Sequence, residues 1–112
     1  MTENELAFEK YINHRFDELK ELIILKGREY RRNNDPFHNF NEGAKKNNST
    51  PEEVLKGFLL KHEISRDDII TDIISGQKVS TKLIKEKCGD IIIYHLLLES
   101  LINLQRNEYT DS

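Results

Sequence analysis

Within residues 84–102, IKEKCGDIIIYHLLLESLI, a lysine, an aspartate and a tyrosine interrupt an apolar run. Lys87, Asp90 and Tyr94 follow steps of three and four, which puts them on one side of a helix. A buried charge must be paired or must bind something. Two other stretches repeat the interruption. Between Leu59 and Ile69 lie His62, Ser65 and Arg66, flanked by Lys61, Asp67 and Asp68. After Ile12, Leu19 and Ile23, the same helical phase reaches Lys26 and Tyr30. Histidine titrates near neutral pH and can pass a proton. Lysine meets phosphate as a point charge. Asp68 and Asp72 are one helical turn apart, as are Glu86 and Asp90, a spacing that lets carboxylates share a magnesium ion. The plainer readings stay open beside these. His62 can be a hydrogen-bonded core histidine, Lys87 and Asp90 a surface ion pair, and Tyr30 and Tyr94 core aromatics with their hydroxyls at the edge.

These residues need helices to hold them. Thr2 and Glu5 form a capping box, and apolar residues then recur with a helical period from Phe8 to Ile23. This predicts a first helix over about 3–31. Residues 32–50 form a long connection rich in Asn, Asp, Gly and Lys. Phe37 and Phe40 should fold its first half back onto the helices, with room for a short extra helix within 36–46. Ala44 to Ser49 read as flexible. Thr50, Pro51 and Glu53 mark a strong helix start, and the second long helix runs over 51–75 to a stop at Gly76. Ser80 or Thr81 opens the third, over 81–106, leaving a flexible tail at 107–112. No strand pattern or internal repeat is present. The fold class expected is all-α, an antiparallel bundle of three long helices in a single domain over 1–106.

Composition narrows the function. The chain has 112 residues, 37% hydrophobic and 33% charged, with a net charge of −3. So thin an apolar share, beside a third helix apolar on nearly all sides from Ile91 to Leu98, favours a homo-oligomer, most simply a dimer. The acidic balance argues against a general nucleic-acid binder. One cysteine, Cys88, excludes an internal disulfide framework and fits a reducing cytoplasm; it is expected as a small core residue. The polar N-terminus reads as no signal peptide, and no apolar run is long enough to span a bilayer.

The segments KGREY (26–30), DPFHNF (35–40), TPEEVLKGFLLKHEISRDDI (50–69) and IKEKCGDIIIYHLLL (84–98) together resemble small phage and prophage proteins of the nucleotide-modification-associated type. The resemblance covers residues 22 to 102 and rests on a scattered pattern. Its matching residues are Lys26, Tyr30, Asp35, Asn39, Phe40, Lys61, His62, Asp68 and Asp90. The third helix is also similar to that of MazG-like all-α nucleotide pyrophosphatases, which carry Glu-Glu-x-Gly-Asp before an apolar run. Here the stretch is Glu86-Lys87-Cys88-Gly89-Asp90, with Lys87 in place of a glutamate.

The resemblance implies a nucleotide-acting protein in the cytoplasm of a bacterial host cell, cleaving a phosphoanhydride with magnesium. The residue set expected is His62, Asp68 and Asp90 for catalysis. Lys26, Tyr30, Asp35, Asn39, Lys61, Lys87 and Tyr94 would bind the nucleotide. Asp68, Asp72, Glu86 and Asp90 would bind Mg2+. Two alternatives stand beside it: a protein that binds a nucleotide or nucleotide signal without chemistry, and a small helical inhibitor or adaptor of a host protein.

Overall fold

The computed structural model describes residues 1–30, 32 and 35–106, apart from the side chains of 26, 29 and 30. The expected flexible tail at 107–112, and the Lys26 and Tyr30 side chains, lie outside the described residues. Four helices follow in chain order: α1 (Glu3–Tyr30), α2 (His38–Asn47), α3 (Pro51–Ile74) and α4 (Thr81–Gln105). The chain is all-helical among the described residues, with one isolated bridge between Arg32 and Asp35. No helix among them is long and apolar enough to cross a membrane. Its contacts fall into two compact units, Met1–Pro36 and Phe37–Ser112.

The first unit is α1 and the turn after it. The Glu5 amide donates to Thr2 Oγ1 at 3.1 Å, so the capping box closes as its sequence predicts. Arg15 and His14 both approach Glu18, at 3.6 and 3.8 Å, as i,i+3 and i,i+4 neighbours. Beyond the helix, the Asp35 amide donates to the Arg32 carbonyl at 2.9 Å.

The second unit is a hairpin of α3 and α4 with α2 laid on it. α2 realises the short extra helix and corrects the flexible reading of Ala44 to Ser49. The helix runs through Asn47, Ala44 is buried, and the Ser49 amide bonds back to the Ala44 carbonyl at 2.9 Å. Its apolar face is only Phe40 and Ala44, one turn apart, which is too short a pattern to show a period in the sequence. Asn48 ends it in the left-handed region at φ 50°, a conformation that asparagine tolerates. α2 lies close on α3 at Gly43, where a Cβ would be 3.0 Å from Val54 Cγ1.

Thr50 caps α3 through the Glu53 amide at 3.3 Å, with Pro51 in the first turn. Ser75 and Gly76 end it, Gly76 at φ 85°. Ser80 caps α4 through the Leu83 amide at 3.1 Å. Leu55 and Leu101 are fully buried and form the core with Phe37 and Phe40. Val54, Tyr94, Leu97, Leu98 and Ile102 pack around them. Three helices meet at this end. Glu52 on α3 is bonded through both carboxylate oxygens to Arg106, just past α4. Asn41 on α2 and Gln105 on α4 exchange amide hydrogen bonds of 2.9 and 3.1 Å. Cys88 is a correction: it is exposed on α4 and not part of the core.

Candidate functional site

α3 and α4 run antiparallel, so a step up one helix matches a step down the other. With Glu52 paired to Arg106 near one end, His62 comes opposite Asp90 further along. His62 Nδ1 lies 3.4 Å from Asp90 Oδ2, with the side chains 21% and 16% exposed. The separation is longer than an ordinary N–H···O hydrogen bond and within the reach of an ion pair. One turn along both helices, the same pairing sets Phe58 against Tyr94, with ring centroids 6.5 Å apart. Tyr94 also lies 4.7 Å from the His62 ring at an interplanar angle of 33°. Phe40 of α2 meets Phe58 edge-on at 5.9 Å.

The outcome is a continuous row along the α3–α4 seam: Phe40, Phe58, Tyr94, His62, Asp90. Its aromatic end joins the core, and its polar end is half-buried. The opening puzzle of the third long helix is resolved here. Asp90 and Tyr94 interrupt an apolar pattern because their side of α4 meets His62 of α3.

Of the residues expected at the site, His62, Asp90 and Tyr94 come together. Lys87 is half-buried one turn before Asp90, on the same side of α4. Lys61 is exposed beside His62. Asn39 is exposed on α2, and Asp68 and Glu86 are exposed on α3 and α4, while Asp72 is half-buried. Asp35 belongs to the first unit. Among the described residues, no three His, Cys, Asp or Glu side chains converge to hold a metal ion.

Phe58 was not singled out as a site residue from sequence. Its signal was present: it stands four residues before His62, as Tyr94 stands four after Asp90, and antiparallel pairing makes those two neighbours. The Glu52–Arg106 tie was also missed, since a pair 54 residues apart in sequence leaves no local trace. The pKa of Glu52 lies below the ordinary carboxylate value. Burial raises it, but the hydrogen bonds from Arg106, the Glu52 amide and Thr50, with the Arg106 charge, outweigh burial.

No known family model, curated protein or solved structure matches the chain.

Proposed function

We propose that the seam around His62, Asp90 and Tyr94 binds a nucleotide, with an imidazole as its polar centre and Phe58 as an aromatic surface for the base. The observation that carries this reading is the His62 ring set between Asp90, at 3.4 Å, and the Tyr94 ring, at 4.7 Å. A carboxylate at Nδ1 favours the tautomer with its proton there and orients the ring. Nε2 is then the nitrogen left to meet a phosphate oxygen, to which it donates when the imidazole is protonated. Lys87 and Lys61 add positive charge one turn away and next door. Phe58 is 46% exposed, enough for a base to stack on its face.

Cleavage of a phosphoanhydride is the second reading. It draws on the same geometry, since a histidine held by a carboxylate is the arrangement that general acid–base catalysis uses. In that reading His62 moves the proton and Asp90 positions it. The homo-oligomer belongs to the proposal too, supported by exposed Leu60 and Ile64 on α3 and Ile92 and Leu96 on α4. A host-protein partner is the competing use of the same apolar residues.

The test is a thermal-shift screen against nucleoside mono-, di- and triphosphates, with and without magnesium, each hit followed by chromatography of the ligand. Binding to the folded state alone raises its stability. The expected result is stabilisation by a particular nucleotide that His62→Ala removes while circular dichroism stays helical. An unchanged ligand peak selects the binder, and a product peak selects the enzyme. No shift with any nucleotide, or a shift that survives His62→Ala, would sink this site.

A further inference from the structure

We draw no further inference here: the strongest candidate, the half-buried cations Arg66 and Lys87 one turn beyond His62 and Asp90 on the α3–α4 seam, stands among the carboxylates of Glu63, Asp67, Asp68 and Glu86, which oppose a second anion site, and belongs to the site already described.

Discussion

Removing the charge of Glu52 should loosen the end of the hairpin where α2, α3 and α4 meet. Glu52 sits in the first turn of α3, where the helix dipole favours a carboxylate, and it grips Arg106 through both oxygens. The Glu52 and Arg106 side chains are 22% and 35% exposed. An exposed ion pair is worth about 0–1 kcal/mol, and breaking a buried one costs about 3–5 kcal/mol. Arg106 is just over a third exposed, so solvent screening keeps the coupling at the top of the lower range, about 1 kcal/mol. In a small domain that corresponds to roughly 4–8 °C of Tm. A double-mutant cycle of Glu52→Gln and Arg106→Ala, read by urea unfolding at pH 7, measures it. The pH dependence supplies a second readout. A carboxyl whose folded pKa is lowered contributes stability above its unfolded pKa and loses it as pH falls through the folded value. The ordinary value for Glu is 4.5, so the gap between wild type and Glu52→Gln should begin to close below about pH 5. A coupling indistinguishable from zero, or a gap that does not shrink in acid, would refute the reasoning.

Two further substitutions test the hairpin. Leu101→Ala empties a site that is 0% exposed among Phe37, Phe40 and Leu55. It should cost about 2–5 kcal/mol in urea unfolding, and a loss under about 1 kcal/mol would mean this core is not well packed. Gly76→Ala puts a Cβ on a residue at φ 85°. It should lower stability by about 1–2 kcal/mol although nothing lies near enough to clash, and an unchanged Tm would place the strain elsewhere.

The helices were legible because their signals are local. Thr2, Thr50 and Ser80 each cap the helix that follows, and Gly76 stops α3 within two residues of the end read from its pattern. The short α2 was only half legible. Phe37 and Phe40 announced burial, but a helix whose apolar face is one turn long has no period to read. Cys88 misled because a small apolar residue beside Gly89 and Ile91 looks like core. Only the rotation of α4 turned it outward.

For the candidate site, the sequence by itself determined which side chains interrupt the apolar faces, since helical spacing alone puts Lys87, Asp90 and Tyr94 on one side of α4 and His62 in line with Phe58 on α3. It could not say which of those interruptions would meet. That depended on the antiparallel register of α3 on α4, fixed at one end by Glu52 with Arg106 and by the packing of Leu55 and Leu101. Sliding one helix by a turn would leave every local signal intact and part His62 from Asp90. Local propensity sets the phase of a helix, but only contacts distant in sequence set its offset against a neighbour. The structure therefore decided that a histidine, an aspartate and a tyrosine share one seam, while Asp68 and Glu86 remain exposed on the same two helices.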